Sequence, residues 1–263
     1  MARFAVLVSL VTVLFGRLLA QTTPVSDPQA LSLVAQSVAA MTGKAAITDV
    51  TITGNASWIA GSDRRSGSAT LMARGTAESR VDLNLSGGTR SEIRNDTAGF
   101  PQGATIRADG TVIPSALHNC WINASWFFPA LSFLNATSDR NLIFSYIGAE
   151  NRAGVNVFHL RVFRYLAGQS PTQITLTRRL STMDIYVDAT SLLPRAFLFT
   201  RHSEDDALTD IAIAILFSNY QTVNGIQLPF RVQRLVQNGL AVDLVLTGVT
   251  LNSGLPDSLF PVR

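Results

Sequence analysis

Side chains that commonly carry out chemistry are sparse in this chain. Its three histidines, His118, His159 and His202, are far apart, and the sequence contains neither an HExxH motif nor paired cysteines, so no zinc site is predicted. The stretch GSDRRSGSAT at 61–70 lacks a following Gly-Lys-Ser/Thr, which favours a turn over a phosphate-binding loop. The chain has no Gly-x-Ser-x-Gly nucleophile elbow. A Ser/His/Asp site assembled from distant strands stays open, but the motifs predict neither an enzyme nor a cofactor.

Two further groups of reactive side chains have simple interpretations. Cys120 is the only cysteine, so an intramolecular disulfide is impossible, and beside Trp121 it is typical of a small buried apolar residue. An acidic cluster at 204–206, with Asp210 beyond it, has the oxygen ligands that Ca²⁺ prefers. A solvated hairpin tip is the better interpretation of that cluster, and no metal site is predicted.

Composition favours a globular protein with a large core. Of 263 residues 47% are hydrophobic and only 15% charged, which argues against global disorder. The net charge is +3, but the arginines are scattered and form no basic stripe with interleaved aromatic residues, so no nucleic-acid partner is predicted.

The first residues predict export. A short basic start, Met1-Ala2-Arg3, is followed by an apolar run from Phe4 to Phe15 of signal-peptide length, shorter than a membrane span. We expect a signal peptide over 1–20, cleavage near Ala20, a periplasmic or secreted protein, and one β domain over 21–263. An uncleaved N-terminal anchor is the alternative.

The secondary structure must position whatever site exists. Asp27-Pro28 after Ser26, and Gly43 at the far end, predict an amphipathic helix over 27–42 with Ser26 as the capping hydroxyl. Period-two apolar spacing then predicts strands along most of the chain. It is clearest between Thr209 and Phe260, where Asn224-Gly225 and Asn238-Gly239 predict tight hairpins.

Other local signals qualify this pattern. Gly54 predicts a bend or bulge, and Pro229 predicts an edge or a bulge within its strand. The run Thr89–Asp96 is polar on both faces and predicts an edge strand or solvated ribbon. Residues 99–111 predict a loop, as does Ser170-Pro171.

The middle of the chain contains its most aromatic segment, at 115–134. Its apolar spacing predicts a helix from about Ala116 to Phe127, which Pro129 kinks or restarts. The elements together predict an α+β fold: a curved antiparallel sheet of about ten or eleven strands, with a leading helix and a central helical lid.

The predicted helices are too narrow to cover the predicted sheet. A helix is about 10 Å wide, whereas ten strands spaced about 4.8 Å apart are several times wider. If the sheet curls into a half-barrel, two helices leave an apolar cavity of the kind that takes up hydrophobic ligands. A sheet that folds on itself into a dry sandwich is the alternative.

Short motifs in the C-terminal half resemble the LolA/LolB-like periplasmic lipoprotein-carrier superfamily. They are Phe217-Ser218-Asn219-Tyr220, Val223-Asn224-Gly225, Leu228-Pro229-Phe230, Leu251-Asn252 and Asp257-Ser258-x-Phe260. Ile185-Tyr186-Val187-Asp188 with Leu193-Pro194-Arg195 is similar to the preceding hairpin of that group. The resemblance implies an unclosed β half-barrel with helices over an apolar cavity. It also implies non-enzymatic binding of acyl chains.

We therefore predict a lipid carrier that works as a monomer, with a lipid or an acylated lipoprotein as ligand and envelope membrane proteins as further candidate partners. The predicted lid contacts are Trp121, Trp126, Phe127 and Phe128. The predicted cavity wall is Leu71, Leu83, Ile213, Ile215, Phe230 and Leu244. The alternative is an envelope sensor or protein-interaction module that uses the same fold with a filled core and no lipid cargo.

Overall fold

The computed structural model of the protein describes residues 23–43, 45–75, 77–96, 100–122 and 124–262, without the side chains of Asn135 and Ser138. The expected signal peptide over 1–20 lies outside these residues. In the described chain the helices are α1 Pro28–Thr42, α2 Leu117–Cys120, α3 Pro129–Ser138 and α4 Pro171–Ser181. The first strands are β1 Asp49–Ala60, β2 Asp63–Arg74, β3 Glu78–Leu85, β4 Gly88–Asn95, β5 Gln102–Ile106 and β6 Val112–Pro114. The remaining strands are β7 Leu142–Arg152, β8 Val155–Arg164, β9 Met183–Asp188, β10 Pro194–His202, β11 Asp210–Val223, β12 Ile226–Val236 and β13 Gly239–Leu251.

All thirteen strands form one curved, unclosed antiparallel sheet, which confirms the predicted α+β half-barrel. The order is β6-β5-β4-β3-β2-β1-β13-β12-β11-β10-β9-β8-β7, so β6 and β7 are the edges. Only the contact between β1 and β13 joins strands distant in sequence. The other pairs join successive strands, mostly through the tight hairpins that the turn signals predict, with α4 between β8 and β9.

The strand count exceeds the expected ten or eleven because the predicted loop at 99–111 contains β5 and leads into β6. The prediction of an edge for Thr89–Asp96 is also wrong, since β4 lies between β3 and β5. Its outward residues, Ser91, Ile93 and Asn95, are buried.

The C-terminal tail covers the outward face of these strands. Phe260 packs on Met72 and Ile93, and Asn95 Nδ2 donates to the Phe260 carbonyl at 2.7 Å. Arg74 donates to the Leu255 carbonyl at 2.6 Å. A polar-looking strand is therefore interior because the tail supplies its cover.

The leading helix agrees with its prediction over 27–42 except at the cap. Asp27, not Ser26, caps α1, since its carboxylate accepts the Gln29 N–H at 2.7 Å. Ser26 Oγ instead accepts the Phe144 N–H at 3.1 Å and ties the chain to β7.

The aromatic segment at 115–134, here called the central segment, differs from its prediction. Instead of a helix over 116–127, α2 makes one turn, residues 124–127 form turns, and α3 begins at Pro129. Phe128 is extended, with φ −131° and ψ 84°, because a residue before proline is disfavoured in the helical region.

The expected loop at Ser170-Pro171 is the start of α4. Ser170 Oγ accepts the Gln173 N–H, and the Gln173 side chain accepts the Ser170 N–H, which is a complete capping box. Pro171 is compatible with the first turn of this helix, because a backbone N–H at that position would have no intrahelical acceptor.

Two local irregularities are confirmed. The register between β1 and β13 shifts at Gly54, where an added Cβ would lie 2.5 Å from the Val245 carbonyl oxygen. Strand β13 pairs only with Arg231–Val236 of β12, so Pro229 needs no N–H on that side. The sheet therefore splits locally between β12 and β13, and α1 contacts β12.

Candidate functional site

The concave face of the sheet forms the main hydrophobic core together with α1 and the central segment. Eight of the ten predicted site residues lie in this core: Leu71, Leu83, Trp126, Phe127, Phe128, Ile213, Ile215 and Leu244. Phe230 is half-buried against it. The structure thus brings the predicted wall and most of the predicted lid contacts together.

Aromatic side chains fill much of this concave face. Phe127 is 1% exposed and Phe128 is fully buried, and the Trp126 ring lies edge-on to Phe127 at 5.7 Å. Farther along, Phe133 packs 5.7 Å from Phe197. The part of the central segment at 126–134 is therefore a structural layer of the core.

An open apolar groove lies beside the central segment, with a volume of about 590 Å³. One wall comes from the central segment and the following turn of α3, including Trp121, Ile122, Ala124, Phe133 and Ala136. The other wall comes from β7 to β9, including Leu142, Val162, Met183 and Ile185. Phe100 and Pro101, between β4 and β5, close a third side. Of the predicted site residues, Trp121 is the one that lines this groove.

The groove has a polar rim. Arg164 Nη1 pairs with Asp139 Oδ2 at 3.0 Å, while the buried Arg164 Nε has no hydrogen-bond partner among the described residues. Asp96 and Asn141 also line the opening. Apolar walls with a few polar groups at the mouth suit a ligand that has an apolar tail and a polar end.

A second, smaller cavity of about 50 Å³, here called the charged chamber, lies on the concave face between β4 and β12. Its charged lining residues are Glu92, Arg94, Arg201 and Arg234. Glu92 faces the interior because it pairs with the inward-facing Val81 of β3. Trp126 covers the chamber, with the Arg234 guanidinium 3.9 Å from its ring.

An ion pair crosses the concavity inside this chamber. Arg234 donates to both carboxylate oxygens of Glu92, at 2.5 and 2.9 Å. Burial alone would raise the pKa of Glu92, but the charge and hydrogen bonds of Arg234 outweigh it and lower the pKa to about 2. Glu92 is therefore ionised at neutral pH.

The short helix α2 is fastened to the hairpin between β10 and β11. Asn119 donates to the His202 carbonyl at 2.9 Å and accepts the His202 N–H at 3.1 Å. Glu204 accepts the Ala116 N–H and pairs with Arg201. These contacts fix the start of the central segment.

The acidic cluster is engaged in hydrogen bonds and ion pairs of its own. Asp210 pairs with Arg179 and His202, and Asp206 accepts the Leu208 N–H at 2.8 Å. Within the described ranges no group of three histidine, cysteine or acidic side chains is placed to hold a metal ion.

Of the remaining reactive groups, Cys120 and His202 are buried and His118 is half-buried. Cys120 has 8% exposure, and burial raises the pKa of its thiol, which keeps it neutral. His118 and His202, distant in sequence, lie 5.5 Å apart edge to face. Burial and the neighbouring His202 lower the pKa of His118.

Sequence reasoning missed most of the groove wall. Leu142, Val162 and Ile185 lie on three successive strands, and only the meander order shows that they face Phe133 of α3. Their alternation identified them as strand residues, but it could not identify the element opposite. The charged residues at 90, 92 and 94, alternating along one strand, were the available signal for the charged chamber.

Among the residues described by the structure, no helix has the length and apolarity needed to cross a membrane.

Sequence comparison finds no matching family model and no matching curated protein. Structural comparison finds a domain described as an outer membrane lipoprotein-sorting protein from Vibrio parahaemolyticus, with 12% identity and a TM-score of 0.56, covering 88% of this chain and 96% of that one. A LolA superfamily protein from Nitrosomonas europaea has 12% identity and a TM-score of 0.55, with coverages of 89% and 97%. A DUF1329 family protein from Desulfovibrio piger has 13% identity and a TM-score of 0.54, with coverages of 91% and 98%. At these identities the likeness is one of fold, and the predicted LolA-type fold is confirmed.

Proposed function

We propose that this protein is a non-enzymatic lipid-binding protein of the periplasm or of the secreted fraction. It holds an acyl chain in the groove beside the central segment. The observation that carries this proposal is the groove itself, a 590 Å³ space between apolar walls. Its volume falls within the range of about 300–1,000 Å³ usual for small-molecule sites.

The energetics favour an acyl chain in this groove. Each buried methylene contributes roughly 0.8 kcal/mol, less the cost of ordering the chain. Leu142, Val162 and Ile185 supply an aliphatic wall, and Phe133 faces them. The polar rim provides a solvated opening of the groove where a polar head group can lie.

The groove suits ligand entry better than the space beneath the central segment. Lifting residues 126–134 would expose Phe127 and Phe128, each of which contributes about 1.5–3 kcal/mol by burial. Trp121, half-buried at the groove, meets a ligand without that cost. The roles of the deeper predicted residues, from Leu71 to Leu244, stay predictions for a ligand that penetrates farther.

The fold supports the proposal at a coarser level. The structural neighbours include a domain described as an outer membrane lipoprotein-sorting protein and a protein of the LolA superfamily. By analogy, an acylated lipoprotein is a candidate ligand and an envelope membrane protein a candidate partner. The export signal expected over 1–20 is consistent with such ligands.

A groove-blocking variant tests the proposal. The full exported chain is purified, delipidated and titrated with a fluorescent fatty acyl probe. Ala136 lines the groove on α3, so Ala136→Trp is expected to weaken binding at least tenfold by filling the space. Thr137→Trp, at the neighbouring exposed position, is the matched control and should bind like the wild type.

Lipid recovered in stoichiometric amount from the undelipidated protein, detected by mass spectrometry, would support the proposal independently. Absence of both co-purified lipid and probe binding would contradict it.

The packed core favours a second candidate, the interaction module without cargo. Aromatic residues of the central segment already cover much of the concave face. The same titration decides, because a module would bind no probe and would be indifferent to Ala136→Trp.

A further inference from the structure

Three arginines and one glutamate line the charged chamber, and with Glu204, which pairs with one of these arginines from outside the lining, one positive charge is left in excess. Arg234 is paired with Glu92, and Arg201 Nη2 lies 2.5 Å from Glu204 Oε1. The third arginine, Arg94, has no carboxylate within ion-pair distance among the residues that the structure places. Interior charges are normally paired, so the cluster has room for one more anion.

The contact that Arg94 does make is a weak one. Its Nη1 donates to Cys120 Sγ at 2.8 Å. Thiol sulfur is a poor acceptor, and a neutral thiol brings no charge to balance the guanidinium. Glu92 cannot compensate, because Arg234 already occupies both of its carboxylate oxygens.

The neighbouring strand β5 leaves space for the Arg94 side chain. Gly103 of β5 is the register partner of Arg94, and a Cβ added there would lie 2.5 Å from Arg94 Nη1. The φ angle of Gly103 is not in the left-handed region, so its backbone does not itself require glycine. What glycine provides at 103 is space for the guanidinium.

The chamber adjoins the groove. Ile122 and Ala124 line both cavities. Cys120 lines the groove and is also the residue that Arg94 contacts. A group entering from the groove past Cys120 therefore meets the Arg94 guanidinium first.

The chamber has the size of a head group rather than of a tail. A water molecule needs about 10–15 Å³ of cavity volume. At about 50 Å³ the chamber holds a carboxylate but no acyl chain. The remaining length of the ligand has to lie in the groove.

From these observations we propose that Arg94 binds a carboxylate, which in the ligand is the head group of a single-chain fatty acid whose tail occupies the groove. This inference rests on the proposed function and adds the charge of the ligand to it. The carboxylate replaces Cys120 Sγ as the acceptor and balances the unpaired guanidinium. A small free carboxylate such as acetate is the other source of the same chemistry.

A comparison of charged and neutral ligands tests the proposal. Delipidated full-length protein is titrated at pH 7.4 with a C16 fatty acid and with its methyl ester. The wild type is expected to prefer the acid by a factor on the order of 10 to 100, the usual effect of a charge-assisted hydrogen bond. Arg94→Met should remove the preference by weakening acid binding while ester binding stays within about twofold.

Two further variants sharpen the result. Arg94→Lys keeps the charge without the two-pronged geometry and should retain part of the preference. Arg107→Met removes one positive charge at an exposed position between β5 and β6, and the full preference should remain. Acetate that competes with the acid but not with the ester would support the anion site and show that the head group alone binds.

The wild-type titration can overturn the proposal without any variant. Equal affinity for acid and ester would refute the head-group site and leave the lipid-binding function intact. Binding of neither ligand would refute the proposed function itself. Persistence of the preference in a folded Arg94→Met protein would assign it to a different cation.

Discussion

The packed core around Phe127 and Phe128 and the groove around Trp121 belong to the same central segment and have opposite characters. In the core the segment closes the half-barrel with its own aromatic rings, whereas at the groove it stands away from β7 to β9 and leaves about 590 Å³. The two regions differ in which element faces them. An apolar surplus in a sheet therefore predicts a covering layer first and a ligand space only at its margin.

The largest expected effect is on the core. Phe128→Ala should lower the free energy of unfolding by about 3–5 kcal/mol, because a fully buried aromatic ring leaves a cavity. Leu142→Ala, at a half-buried groove position, should cost clearly less. Urea denaturation of both variants measures the difference, and equal losses would erase the distinction between the two regions.

A smaller effect is expected where the segment is fastened. Asn119→Ala removes two hydrogen bonds with the buried His202 backbone and should cost about 1–3 kcal/mol. Amide exchange at 117–120 should quicken while exchange at 129–134 stays slow. Uniform quickening over both stretches would show that the segment opens as one piece.

Acid should weaken the bridge across the charged chamber. The folded-state pKa of Glu92 is about 2, below its ordinary value of 4.5, so its stabilising effect is present above pH 4.5 and is lost as the pH falls toward 2. The unfolding free energies of wild type and Glu92→Gln should therefore differ most above pH 4.5 and converge below it. A pH-independent difference would mean that the carboxylate charge does not contribute.

The smallest effect on stability is expected at Trp121. Trp121→Phe should change the unfolding free energy by less than about 1 kcal/mol. It should nevertheless abolish most of the tryptophan quenching caused by a brominated fatty acid. Trp58→Phe, which removes a ring beside Arg90, should leave that quenching unchanged. Quenching that survives Trp121→Phe would move the ligand toward the core.

Periodicity predicted the meander well, because alternating residues such as Ile213, Ile215 and Phe217 bury one face regardless of the partner. It failed for β4, whose burial depends on a tail more than 150 positions away. Local polarity was misleading there because Glu92 and Arg94 face inward toward charges on other strands.

The candidate site was harder to predict than the fold. Aromatic residues at 126–128 were identified from composition, but nothing in the sequence distinguishes a ring that fills a core from one that lines a groove. The groove depends on how β7 to β9 stand relative to α3, and this is fixed by the order of the whole sheet. Helix α4 was missed although Ser170 and Gln173 form a recognisable cap.

The seal that Phe260 makes over Met72 and Ile93 has a consequence for biogenesis. During synthesis β2 to β4 are made long before the residues that cover their outer surface. Likewise, β1 is made long before β13, with which it pairs. The outer surface of the early hairpins is fully covered only after residues 255–260 have been made. Until then the nascent sheet exposes apolar surface of the kind that holding chaperones protect.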